Sequence, residues 1–159
     1  MAAIIRRRWL PLASFSPANI LAKLLTVDGS GSGIDADTVD GLHAVSGIYS
    51  PTATLVSNLD SVTAYSASYI QIGGAVFVAG VVTADATAAG ATVTELGMSL
   101  PVASNLTQVT HLGGTGLGLF LDAVVAIDAD ATNDRARMRW RSALTVATNF
   151  SYVYGYRVL

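Results

Sequence analysis

The sequence contains no cysteine, so neither a disulfide framework nor thiolate chemistry is open to it. Charge is scarce: Asp, Glu, Lys and Arg together make up 13% of 159 residues, against about 25% in ordinary soluble domains. Long hydrophobic runs are also missing. A membrane-spanning helix needs roughly 20 consecutive apolar residues, and the longest stretches, residues 73–82 and 117–125, are far shorter, with Asp122 inside the second. Membrane insertion is therefore not expected. Glu95 is the only glutamate and Lys23 the only lysine, against ten aspartates and eight arginines. Helices favour Glu and Lys, whereas Asp belongs in turns. A net charge of −2 exerts no long-range pull on nucleic acid. No segment repeats another.

What is present is apolar. Hydrophobic residues are 52% of the chain and the mean hydropathy is +0.51, which excludes a low-complexity disordered protein. One domain of this size with so few charges cannot cover its own surface, so burial between subunits is the expectation. Abundant Ala, Val, Thr and Ser, with 15 glycines, read as a β protein with many turns.

The N-terminal residues Arg6, Arg7, Arg8, Trp9 and Leu10 set three cations beside an aromatic. Arginines before apolar residues superficially resemble a secretion signal, but Pro11 and Pro17 interrupt the apolar core such a signal needs. The reading adopted is an arm that orders against a larger neighbour. Ser16 and Pro17 form the one good helix start, an N-cap followed by proline at the first helical position. Ile20, Leu21, Leu24 and Leu25 then share one face. Residues 26–44 are rich in Gly, Ser and Asp, the chemistry of turns and linkers, and composition changes after Gly47.

From Ile48 the period is two. Residues 65–72 alternate, Gly73-Gly74 makes a turn, and residues 75–83 form a second strand, together a hairpin. Residues 92–100 read as a strand stopped by Pro101, and residues 106–112 as another. The glycine-rich stretch 113–118 reads as a wide turn. Residues 119–129 read as a buried strand and residues 128–134 as a turn. Arg135, Arg137, Arg139 and Arg141 alternate with Ala136, Met138, Trp140 and Ser142, which on a strand places the arginines on one face. Residues 150–159 close the series. Seven or eight strands suggest a jelly-roll-like antiparallel β-sandwich.

The segment Val27, Asp28, Gly29, Gly31, Ser32, Gly33, Asp35, Ala36, Asp37, Asp40, Gly41, His43 and Ala44 resembles a segment of bacteriophage tail-fibre and related virion fibre proteins. Ile34 and Val39 depart from it where leucine is usual, and the preceding residues 19–25 are similar to the same context. The resemblance implies a homotrimeric virion appendage with an N-terminal attachment region and a C-terminal knob. It does not distinguish tail, baseplate or head, and no long stalk fits between the two parts.

Catalytic chemistry finds little footing. Asp35, Asp37 and Asp40 cluster, either as carboxylates for catalysis or metal, or as caps of tight turns. Asp28, Ser30, Ser32 and Asp35 faintly echo a calcium loop, but Val39 stands at the twelfth position where glutamate is required. His43 and His111 lack metal-ligand spacing. No Gly-x-Ser-x-Gly elbow is present, and residues 113–118 lack the Gly-Lys-Ser/Thr of a phosphate loop. The arginines at 135, 137, 139 and 141 could grip phosphate or an acidic polysaccharide. Equally they form a solvated strand face or an intersubunit surface facing aspartates, a candidate ligand or interface face.

The expectation is thus an all-β, jelly-roll-like antiparallel sandwich knob, residues 48–159, preceded by an extended N-terminal arm and adaptor, residues 1–47, with one short helix. It is expected to be a structural virion protein and not an enzyme, with neither cofactor nor metal. Arg6, Arg7, Arg8, Trp9 and Leu10 would anchor it to another virion protein. Asp28, Gly29, Gly31, Gly33, Asp35, Asp37, Asp40, Gly41 and His43 would form a structural adaptor. Its partners would be itself, as a homotrimer, and a host cell-surface glycan or protein, but not nucleic acid. The alternative is a head decoration protein that cements the capsid. A polysaccharide-degrading tailspike would need a carboxylate pair in a groove and a repetitive β-helix, and neither is visible.

Overall fold

The computed structural model describes residues 16–20, 22, 44–90, 92–118 and 124–159. The chain divides between Leu42 and His43 into two units. In the first, residues 17–20 are helical. Ser16 caps them: its Oγ accepts the amide of Asn19 at 3.2 Å and its carbonyl accepts that of Ile20 at 3.0 Å. Pro17, with no amide to satisfy, stands at the first helical position.

The second unit is all-β, with ten strands among the described residues: β1 (Ala44–Tyr49), β2 (Ala53–Ser57), β3 (Leu59–Ala64), β4 (Ala67–Ile72), β5 (Ala75–Ala86), β6 (Val93–Met98), β7 (Leu112–Gly118), β8 (Val124–Asp130), β9 (Arg135–Arg141) and β10 (Thr148–Arg157). They form one sheet in the order β1-β4-β5-β10-β7-β8-β9-β6-β2, with β3 on β5, and every pairing is antiparallel. β2 runs into β3 through Asn58 alone, so a strand on β6 continues as a strand on β5 and the sheet curls on itself as an antiparallel, jelly-roll-like sandwich. Asn58 makes that corner in the left-handed region, at φ 55°, which asparagine tolerates better than most residues. Its Nδ2 donates to Ala88 O at 2.9 Å and to the buried Thr94 Oγ1 at 2.8 Å, and its Oδ1 accepts the Ala88 amide at 2.8 Å.

Period-two patterning fills the interior. Ala136, Met138 and Trp140 of β9 point inward, as do Phe150, Tyr152, Tyr154 and Tyr156 of β10. The rings of Trp140 and Phe150 meet at 4.7 Å although two strands separate β9 from β10 in the sheet, which is the contact of one layer with the other. The Gly73-Gly74 hairpin joins β4 to β5, with Gly73 at φ 57° and Ile72 opposite Ala75.

Three assignments differ from the sequence expectation, besides the strand count. Of residues 106–112 only Leu112, the first residue of β7, is in a strand: Leu106 is buried with its amide donated to Asp134 Oδ1 at 2.6 Å, and Val109–His111 is a 3-10 turn. Residues 113–118 are strand β7 rather than a wide turn, because glycine is needed there. Tyr152, Tyr154 and Phe150 lie opposite Gly116, Gly114 and Gly118, and a Cβ on Gly114 would stand 2.4 Å from Tyr154 Cβ. Asp128 and Asp130 belong to β8, and the turn is confined to residues 131–134. There Asn133 donates its side-chain amide to Asp130 Oδ2 at 2.8 Å.

Candidate functional site

β9 carries Arg135, Arg137, Arg139 and Arg141 on its outer face because their neighbours Ala136, Met138 and Trp140 are drawn into the core. Antiparallel register sets Asp130 opposite Arg135 and Asp128 opposite Arg137. Arg135 Nε donates to Asp130 Oδ2 at 2.7 Å and Arg137 Nε to Asp128 Oδ1 at 2.9 Å, and Arg139 Nη2 takes the second oxygen of Asp128. Partial burial pushes the Asp130 carboxyl up, but hydrogen bonds from Asn133 and Arg135 with the guanidinium charge outweigh it and hold the group below its ordinary value. The hydrogen bond to Asp128, outweighing partial burial, raises Arg137. Three of the four arginines are thus engaged by carboxylates of the neighbouring strand. Arg141, exposed at the end of β9, has no ion pair among the described residues. It stands opposite Val93, beside a shallow cleft with Val124, Ala126 and Arg139.

The remaining outer face is apolar. On β4, β5, β10 and β7 the outward side chains include Ile70, Ile72, Phe77, Ala79, Val81, Val153 and Leu117, and Val124 follows on β8. Phe77 is 54% exposed, Val153 53% and Val124 75%. Ladder register lines them in rows: Ile70–Phe77–Gly155–Gly113, then Ser68–Ala79–Val153–Thr115, then Val81–Ser151–Leu117–Val124. Phe77 lies against Gly155, where a Cβ would meet its ring at 3.2 Å. Beyond it the outer side of Gly113 faces open space. Ridge and bare floor enclose a groove of about 540 Å³ along Ile70, Phe77, Val153 and the glycines. The only charged outward residues on these four strands are Asp85 near the end of β5 and Arg157 at the end of β10.

Inside, along β10, Tyr152 stacks on Tyr154 and Tyr156 lies tilted against Tyr154. Burial pushes all three hydroxyls up, Tyr156 to about 12. This array is core, closed to solvent at Tyr152 and Tyr154.

Among the described residues no three of His, Cys, Asp and Glu cluster as a metal site. His111 Nδ1 accepts the Thr107 amide at 3.3 Å, a local turn contact, and Glu95 stands opposite Arg139 on β6. The candidates at Arg6, Arg7, Arg8, Trp9 and Leu10, and those at Asp28, Gly29, Gly31, Gly33, Asp35, Asp37, Asp40, Gly41 and His43, lie outside the described residues. The outer apolar face is the feature that sequence patterning missed. Its signal was the unbroken apolar run of β5, where Phe77 and Val81 alternate with Val76, Val78 and Val82, both sets apolar although only one is buried. Compared with protein-family models, curated proteins and solved structures, the chain matches none.

Proposed function

We propose that the chain is a structural protein of a bacteriophage virion, a trimeric tail or head fibre docked through its N-terminal arm and presenting the β domain to the host surface. The observation that carries this reading is the order of Gly and Asp along the sequence from Val27 to Ala44, which resembles virion fibre proteins. The apolar outer sheet face supports it, since a face of this kind suits assembly with other protein rather than life as an isolated monomer. In this reading Arg6 to Leu10 enter a neighbouring virion protein with Trp9 as the buried aromatic, and no catalysis is assigned. The apolar face equally favours a second reading, a decoration protein clamped on the capsid.

Negative-stain imaging of particles with a gold-labelled copy tests both. Label at the tail or on a projection supports the fibre, label spread over the capsid lattice supports the cement protein, and label absent from particles overturns both. Deleting residues 1–12 should leave the β domain folded by circular dichroism while abolishing incorporation.

A further inference from the structure

We propose that the outer face of β4, β5, β10, β7 and β8 packs against a second copy of this chain, with Arg141 of one copy meeting Asp85 of the other. The contact is isologous, face on face, and makes a two-fold pair of chains; it goes beyond the trimer of the reading above.

Area is the first argument. At full residue areas of about 150–200 Å², the exposed parts of Ile70, Ile72, Phe77, Val81, Leu117, Val124 and Val153 come to roughly 500–700 Å² of mostly apolar surface. That is at or beyond the largest patch of an ordinary monomer. With the small residues between them, it approaches the ~800 Å² that each partner contributes to a standard protein interface. Shape is the second. The ridge of Phe77 and Val153 stands directly beside the bare floor at Gly113, so the same face offers both a knob and a groove, as self-packing requires.

Charge identifies the occupant. Asp85 and Arg141 flank the apolar rows from opposite sides at the same end of the sheet: Ala84, next to Asp85, pairs with Thr148 where β10 begins, and Arg141 pairs with Val93 where β6 begins. Neither has an ion-pair partner among the described residues, and Asp85 Oδ1 is buried without a hydrogen bond. The other outward arginines of β9 are already engaged by Asp128 and Asp130. When two such faces meet, the Arg141 margin of one lies over the Asp85 margin of the other, and one uncompensated charge answers the other. A purely apolar ligand or lipid would leave Asp85 unmatched, at a cost that a buried acceptor does not bear lightly.

Sedimentation equilibrium of the full chain, with circular dichroism of each variant, tests this. The wild type should assemble. Phe77→Asp and Val153→Asp should keep the β spectrum and weaken association at least about 100-fold, because each places a charge inside a dry interface. Arg141→Asp alone should weaken it about tenfold, and the double exchange Arg141→Asp with Asp85→Arg should recover most of that loss. Should the double exchange fail to fold, Asp85→Asn decides, with an expected loss of assembly similar to that of Arg141→Asp. An assembled wild type whose affinity none of these variants alters overturns the surface and leaves self-association standing. A wild type that stays monomeric at about 100 µM overturns both.

Discussion

The phenolic oxygens of Tyr49 and Tyr154 lie 2.8 Å apart, joining β1 at the end of the sheet to β10 at its centre. Tyr154 is 3% exposed, so its hydroxyl needs a protein partner. Tyr49 reaches it while its own ring stands edge-on to Tyr69 at 6.1 Å. Tyr49→Phe leaves the Tyr154 hydroxyl buried and unsatisfied, which should cost about 1–3 kcal/mol. Tyr154→Phe should cost a similar amount, and the double variant less than the sum of the two, since the second deletion removes an orphan rather than a bond. Urea unfolding of the four proteins reads this directly, and strictly additive losses would contradict it.

The same array makes stability sensitive to alkali. Burial raises Tyr49, Tyr152, Tyr154 and Tyr156 above their ordinary value of 10.0. Below pH 10 both folded and unfolded chains hold these protons and the tyrosines contribute no pH dependence. Above it the unfolded chain ionises first, so folding loses stability as pH climbs from about 10 toward 12 and beyond, by up to ~1.4 kcal/mol per pH unit for each tyrosine. Phenolate absorbance of these four should rise together with the loss of β-sheet signal. Smooth titration of all the tyrosines near pH 10 in a still-folded protein would contradict the burial.

Gly113 and Gly114 are neighbours in β7 with opposite duties. A Cβ on Gly114 would come within 2.4 Å of both Tyr154 Cβ and the Val153 carbonyl oxygen, whereas one on Gly113 meets nothing within 4 Å. Gly114→Ala should therefore destabilise by about 1–3 kcal/mol or more through overpacking against backbone. Gly113→Ala should stay within ~0.5 kcal/mol in stability. Thermal melts of the two variants separate the inner from the outer side of β7.

These glycines also mark the limit of what the sequence discloses. Strands such as β9 and β10 are legible because one set of alternating residues is apolar and the other is not: Met138 and Trp140 against arginines, aromatics against Ser151. The Gly73-Gly74 hairpin and the Ser16 cap are legible from local chemistry. β7 is not, because its glycines answer to tyrosines some 40 positions later, a non-local demand with no local signature. Residues 106–112 look like a strand by composition, but the docking of Leu106 and its hydrogen bond to Asp134 decide their conformation. The arginines were legible as a face, whereas their neutralisation was not: reading Asp128 as a turn residue hid its place opposite Arg137. The apolar outer face escaped because β5 is apolar on both sides, and a run without alternation reads as fully buried.

Asn58 tests the closure of the sheet. Asn58→Ala keeps the chain length but gives up three side-chain hydrogen bonds, one to the buried Thr94 hydroxyl, and must still hold a positive φ. A loss of about 2–3 kcal/mol is expected. Asn58→Gly tolerates the φ and should lose less, while still orphaning Thr94. Equal stability of all three proteins in urea would show that the corner does not depend on this side chain.

Asp128 and Asp130 decide what the arginine face can bind. The outer positions of β8, β9 and β6 hold four arginines against Asp128, Asp130 and Glu95, so wild type offers an anion little beyond Arg141. Asp128→Asn releases Arg137 and Arg139 together. The pairs are partly solvated, with Arg139 38% exposed, so the stability loss should be modest, about 1 kcal/mol. The change in binding should be larger: the variant should bind a sulfated polysaccharide resin in a salt-sensitive way, and wild type should not. Asp130 adds a pH signature. Its folded pKa lies below the ordinary 3.8, so its contribution is complete above about pH 4 and is lost as pH falls through the folded value. Asp130→Asn should flatten the acid limb of the stability curve while leaving the alkaline limb, which belongs to the tyrosines, unchanged. Strong resin binding by wild type at moderate salt would mean that the ion pairs open readily, and the face would then be a ligand site in its own right.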